Sequence, residues 1–151
     1  MSINEDVELL RRIPMFAKVD PAKLKLLAFT SERVTFDAGQ ELFHQGDAAD
    51  AAYIVVDGAT DVLVDSPRGP LVVASLGKNA LVGEIGILCD MPRTATIKAV
   101  SRVTTLKISK DLFLRMISDF PSMGVEVMRE LAHRLEKTTA DLREARSRVS
   151  A

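Results

Sequence analysis

Two periodicities divide the chain. Between Asp6 and Arg12, Val7 and Leu10 recur with Ile13 on one side, which predicts a short amphipathic helix ended by Pro14, after which Met15 and Phe16 dock apolar side chains. Asp20 before Pro21 reads as an N-cap with proline at the first helical position, and Leu24, Leu27 and Ala28 supply the buried face of a second helix running to about Thr30. From Arg33 to Lys107 the pattern shortens to β-branched or apolar runs: Val34 to Phe36, Glu41 to Phe43, Ala52 to Val56, Thr60 to Val64, Leu71 to Ser75, Thr96 to Val100 and Val103 to Ile108. Turn residues separate them, and many short strands at regular spacing predict an antiparallel roll or barrel. Residues 65–70, with two prolines and a glycine, can only be an exposed hairpin tip. Ser109 then caps a helix that turns Leu112, Phe113, Met116 and Ile117 inward and stops before Pro121.

The last helix starts there and is the longest. Met128, Leu131, Leu135, Thr138, Leu142, Ala145 and Val149 alternate three and four apart, the seam of a coiled coil, so a parallel homodimer through residues 128–149 is expected. Asp141 and Arg146 flank the seam where partner helices could pair them. A fraying terminal helix is the alternative, since Thr138 and Ala145 weaken the seam.

Composition narrows the function classes. The chain has 151 residues, enough to bury one real core, with 47% hydrophobic and 27% charged residues. Net charge is −1, so no global basic field holds nucleic acid or an anionic membrane, and DNA binding by this chain alone is not expected. One cysteine, Cys89, excludes an internal disulfide framework, and no apolar run approaches the ~20 residues of a membrane span. The first residues carry neither a basic nor an apolar signal region, and the expected location is the cytoplasm.

Candidate chemistry concentrates between Gly83 and Thr96. A buried site for a small anion needs a guanidinium, backbone N–H groups and a backbone free to approach. Gly83 and Gly86 bracket the start of a very short helix, with Ile85 between, and Pro92 stiffens the exit and presents Arg93. Glu84 cannot share an anion with Arg93, so its carboxylate is assigned to a neighbouring hydroxyl. A phosphate beside a hydroxyl suggests a ribose phosphate.

Gly83 and Glu84, followed by Pro92, Arg93, Thr94, Ala95 and Thr96, resemble the phosphate-binding cassette of the cyclic nucleotide-binding domain family. Asp37 to Phe43, Gln45 to Asp47, Ala49, Asp50, Tyr53 to Val55 and Gly58 resemble the β-roll signature of that family, and the likeness covers roughly residues 9 to 136. The resemblance implies an α+β, mainly β fold: an antiparallel, jelly-roll-like β-roll flanked by N-terminal helices and a long C-terminal helix. It implies one domain over 1–151, with N-terminal helices in 1–32, the roll in 33–108, the cassette in 83–96, and hinge and lid or dimerisation helices in 109–151. It further implies a cyclic nucleotide ligand, cAMP first and cGMP second, with Arg93 on the phosphate and Glu84 on the ribose, two residues that could otherwise be a structural ion pair within the loop. Thr94 is a β-edge residue or a hydroxyl reaching phosphate and base. Val62, Val73, Leu76 and Val82 would line the sugar and base pocket, or simply pack. Arg134 resembles in placement the lid arginine of some bacterial channel-type members, or is a solvated charge.

The function implied is an allosteric sensor without catalysis or cofactor, acting on an effector protein not named by the sequence. Its alternative is a constitutive dimerisation or interaction module, or the effector domain of a transcription regulator, that reads no nucleotide. His44 and His133 lack a second ligand at metal spacing, and Cys89 has the surroundings of a packing residue. No nucleophile, general acid or metal set accompanies Glu84, so hydrolysis is not expected.

Overall fold

In a computed structural model, residues 3–13 and 16–150 are described, residues 3, 149 and 150 by their backbone alone. Pro14 and Met15, where the sequence places a helix end and a docked side chain, lie outside the described residues, as does the side chain of Val149.

Helices α1 (Ile3–Arg11) and α2 (Pro21–Thr30) precede strands β1 (Glu32–Phe36), β2 (Glu41–Phe43), β3 (Ala51–Asp57), β4 (Thr60–Val64), β5 (Leu71–Leu76) and β6 (Leu81–Val82). A short helix α3 (Glu84–Leu88) leads to β7 (Thr96–Ala99) and β8 (Val103–Ser109), followed by α4 (Lys110–Asp119) and α5 (Pro121–Ser150). The caps follow from chemistry legible in the sequence: the Asp20 carboxylate accepts the Ala22 N–H at 2.9 Å, and the Ser109 hydroxyl accepts the Leu112 N–H at 3.3 Å. Strand β6 has only two residues, too few for any periodicity, and goes unpredicted.

The strands form two antiparallel sheets, ordered β1-β8-β3-β6 and β2-β7-β4-β5. Strand β3 explains the layering. Residues 51 to 56 are all buried, and they alternate between two cores because successive side chains leave opposite faces. Ala52, Ile54 and Val56 join Leu106 and Ile108 of β8 against the helices, including Leu10, Leu24, Phe113 and Met123. Ala51, Tyr53 and Val55 face the second sheet and pack with Leu42, Ile97 and Ala99. The middle sheet is thus covered on both sides, by the second sheet and by helices from both ends of the chain. An Asp6–Arg33 ion pair also ties α1 to β1.

Along α5 burial falls away. Val127 is buried and Leu131 packs on the helix-side core, whereas Met128, Leu135 and Leu142 are 62%, 68% and 59% exposed. These three recur every seven residues on a face that no described residue covers.

Candidate functional site

The chain enters α3 through Gly83, whose φ of +85° is in the left-handed region that disfavours a side chain. Space demands glycine there as well, because a Cβ would fall 2.6 Å from Arg93 Nη1. At Gly86 a Cβ would meet Ala49 Cβ at 2.6 Å and the Met91 carbonyl at 2.9 Å. Closure of the turn is completed by the Met91 N–H donating to the Gly86 carbonyl at 3.0 Å. Arg93 is then pinned by its backbone: its N–H donates to the Asp47 carbonyl at 2.8 Å, and its carbonyl accepts the Gly46 N–H at 2.9 Å. The turn around Gly46 and Asp47, distant in sequence, is therefore what positions the arginine.

Arg93 is 3% exposed. Nη1 donates to the Gly83 carbonyl at 2.8 Å, and Nη2 to the Ala51 carbonyl at 2.6 Å and, more weakly, to Asp50 at 3.4 Å. Cζ lies 4.0 Å from the centroid of the Phe43 ring. Among the described residues Nε has no partner, although it is buried. Burial pulls the pKa of the guanidinium down and the Asp50 carboxylate opposes it, but arginine remains charged.

Glu84 is 2% exposed. It does not pair with Arg93. Its Oε1 accepts from Arg134 Nη1 at 2.8 Å, while Oε2 is buried without a partner among the described residues. Arg134 reaches in from α5 and is held by two further acceptors, the Leu81 carbonyl at 2.6 Å and Glu130 at 2.8 Å. Burial raises the pKa of Glu84; Arg134 and the residue's own backbone N–H oppose that rise, and the nearby Glu130 adds to it.

These groups surround a cavity of about 100 Å³. Of the residues singled out in the sequence, it brings together Val62, Leu76, Val82, Gly83, Glu84, Ile85, Arg93, Thr94, Ala95 and Arg134. Two others do not line it. Val73 is 50% exposed on β5: Val62 pairs with Ala74 and Leu63 with Val72, so Val73 is the extra residue of a bulge and leaves the wall. Gly86 lies behind the turn, where its role is close packing. Sequence reasoning missed Phe43 and Ile97 as wall residues. Phe43 ends the Asp37 to Phe43 part of the β-roll signature, but nothing local to β2 announces an arginine 50 residues later. Glu130 was legible as a helical partner of Arg134, four residues before it.

Cys89 follows α3 at its C-terminus and is exposed, so it is not the packing residue expected. His44 contacts Glu41 and Thr96. Among the described residues no group of three or more His, Cys, Asp or Glu side chains could hold a metal ion, and no helix is long and apolar enough to cross a membrane.

The fold is thus a β-roll that sets an arginine-bearing turn and a buried carboxylate on one cavity. The chain belongs to the cyclic nucleotide-binding domain family, whose pattern matches residues 33–120. It is 27% identical over 136 residues to the CRP-like cAMP-activated global transcriptional regulator of Mycobacterium tuberculosis, covering 89% of this chain and 61% of that protein. Lysophospholipase nte1 of Neosartorya fischeri is 28% identical over 130 residues, 85% of this chain but 8% of the enzyme. The chain thus spans only part of these curated relatives. Among solved structures, the Thermus thermophilus catabolite activator protein superposes with a TM-score of 0.74 at 27% identity, covering 85% of this chain and 61% of that one. The regulatory domain of Toxoplasma gondii PKA, solved with cAMP, shares the fold at a TM-score of 0.77 and 17% identity, covering 86% and 50%.

Proposed function

We propose that this chain is a non-catalytic sensor that binds a cyclic nucleotide, cAMP in the first place and cGMP in the second, and transmits occupancy through movement of α5. One observation carries the reading: a buried donor, Arg93 Nε, and a buried acceptor, Glu84 Oε2, both without partners among the described residues and both belonging to residues of one cavity. Leaving such groups unpaired costs about 1–3 kcal/mol each, which a native site tolerates when a ligand completes them. The required ligand offers an anionic acceptor and a hydroxyl donor. A 3',5'-cyclic nucleotide has both, in its phosphate and its single free ribose hydroxyl. The names of the mycobacterial regulator and the cAMP-bound Toxoplasma structure support the same ligand.

The cavity, about 100 Å³, is smaller than the ~300 Å³ at which ligand pockets begin, so a nucleotide needs more room than it offers. We take that room to come from movement of α5, since Arg134 is the side chain that ties α5 to Glu84. With the ligand in place, Arg93 takes the phosphate, Glu84 the 2'-hydroxyl, Thr94 the phosphate or base edge, and Ile85, Ala95, Val62 and Val82 the apolar walls. The exposed stripe of Met128, Leu135 and Leu142 supports a homodimer through residues 128–149, in the cytoplasm, with the output supplied by an effector protein or a further segment and with no nucleic acid or membrane contact by this chain alone.

A constitutive interaction module is the second reading, favoured by the Arg134–Glu84 pair that already fills part of the site. Calorimetric titration with cAMP and cGMP separates them: saturable binding supports the sensor, and silence with both nucleotides supports the module. If Glu84→Ala discriminates against 2'-deoxy-cAMP as strongly as wild type does, the ribose role of Glu84 is wrong.

A further inference from the structure

Phe43 differs from the other wall residues because it supports the arginine itself. Strand β2 pairs with β7 through a shift of register between Glu41 and Phe43, an irregularity of the kind that re-aims a side chain. The Arg93 guanidinium carbon lies 4.0 Å from the ring centroid, over the face where the aromatic quadrupole is negative. Behind it, the Tyr53 ring lies 6.0 Å from Phe43, tilted by 33°. Phe36 meets Tyr53 edge-on at 6.2 Å, so Phe43 is itself braced. The Gly83 position completes the fit, since a Cβ there would stand 2.6 Å from Arg93 Nη1 and 3.1 Å from Phe43 Cε2. One face of the guanidinium thus rests on a ring, and its two terminal nitrogens are held by the Gly83 and Ala51 carbonyls. Among the described residues, Nε alone of the three guanidinium nitrogens is left without a partner.

We infer that Phe43 is a positioning residue for anion binding: its ring fixes the plane of the Arg93 guanidinium so that Nε–H stands free as the donor for the ligand. An aliphatic residue of similar size would fill the same volume and leave the charge unsupported. The inference rests on Arg93 being the anion ligand, and two independent measurements keep the two ideas apart.

In the ligand-free full chain, NMR should show a separate Arg93 Nε–Hε signal that exchanges slowly and moves toward the averaged arginine position in Phe43→Leu. An Arg93 signal indifferent to that substitution overturns the inference, whether or not nucleotide binds. In cAMP titrations, Phe43→Leu should weaken affinity by about threefold to thirtyfold, the range a desolvated cation–π contact implies. Mono-, di- and trifluorinated phenylalanine at position 43, which drain the ring face of negative charge at nearly constant shape, should weaken it stepwise. Equal affinity across that series overturns the inference, because packing is blind to fluorine number. The series also covers the case in which Phe43→Leu fails to fold. If wild type binds no cyclic nucleotide while the NMR signature holds, the nucleotide reading fails and the positioning of Arg93 by Phe43 stands.

Discussion

Replacing Arg134 by alanine removes a cation from a carboxylate with almost no water around it. The pair is close, 2.8 Å between Nη1 and Oε1, and the Glu84 side chain is 3% exposed against 28% for Arg134. At an effective dielectric of about 20, unit charges ~4 Å apart attract by about 4 kcal/mol. Water reaches the open edge of Arg134, and Glu130 shares its charge, so about 2 kcal/mol is expected, below the ~3–5 kcal/mol of a fully buried pair. For a chain of this length that lowers Tm by about 4–8 °C. The pH dependence gives the sharper test. Burial already raises the pKa of Glu84, and Arg134 is the largest influence opposing it, so Arg134→Ala raises it further. An acid whose folded pKa exceeds its unfolded value destabilises the fold when ionised; the cost is present above the folded pKa and disappears as pH falls through it. The gap between wild type and mutant should therefore be widest in mild alkali and close on acidification, starting above the ordinary glutamate range. Urea unfolding across pH measures it, and Arg134→Ala combined with Glu84→Gln should recover most of the loss. A gap independent of pH, or a double mutant as unstable as the single one, would refute the reasoning.

Arg93→Leu should weaken cAMP binding by at least about a hundredfold, through loss of charge-assisted bonds to phosphate, in calorimetry on the folded fraction. It should also cost about 2–4 kcal/mol of stability in urea, because the buried carbonyls of Gly83 and Ala51 lose their donor. An intact fold of unchanged stability would contradict this. Affinity for cAMP should fall as pH drops through the raised pKa of Glu84, since a proton then occupies the acceptor needed by the ribose; a flat profile down to the ordinary glutamate range counts against that contact. Thr94→Ala should leave cAMP affinity within a few-fold and lower that for cGMP by about tenfold, one net hydrogen bond; a parallel fall would assign Thr94 to the phosphate alone. Leu135→Asp with Leu142→Asp should convert a dimer to a monomer in sedimentation velocity, and a wild type that sediments as a monomer rejects the seam.

Local chemistry was readable wherever it depends on near neighbours. Asp20 and Pro21, or Ser109 before Leu112, set helix starts within one turn, and the short β-branched runs marked seven of the eight strands because side-chain alternation is a property of a few adjacent residues. The cassette was legible for the same reason, with Gly83, Glu84, Pro92 and Arg93 inside one short stretch. Residue pairing was not. Nothing near Glu84 indicates that its partner is Arg134, 50 residues on, rather than Arg93, and nothing in β2 indicates that Phe43 lies beneath a guanidinium from the turn before β7. Val73 shows the limit from the other side: its alternation with Leu71 and Ser75 looks regular, yet a bulge whose position depends on pairing with β4 takes it off the cavity wall. Such contacts depend on how sheets register and where α5 crosses the roll, and those are settled by the simultaneous burial of two cores on either face of β3, a condition no single segment of the chain contains.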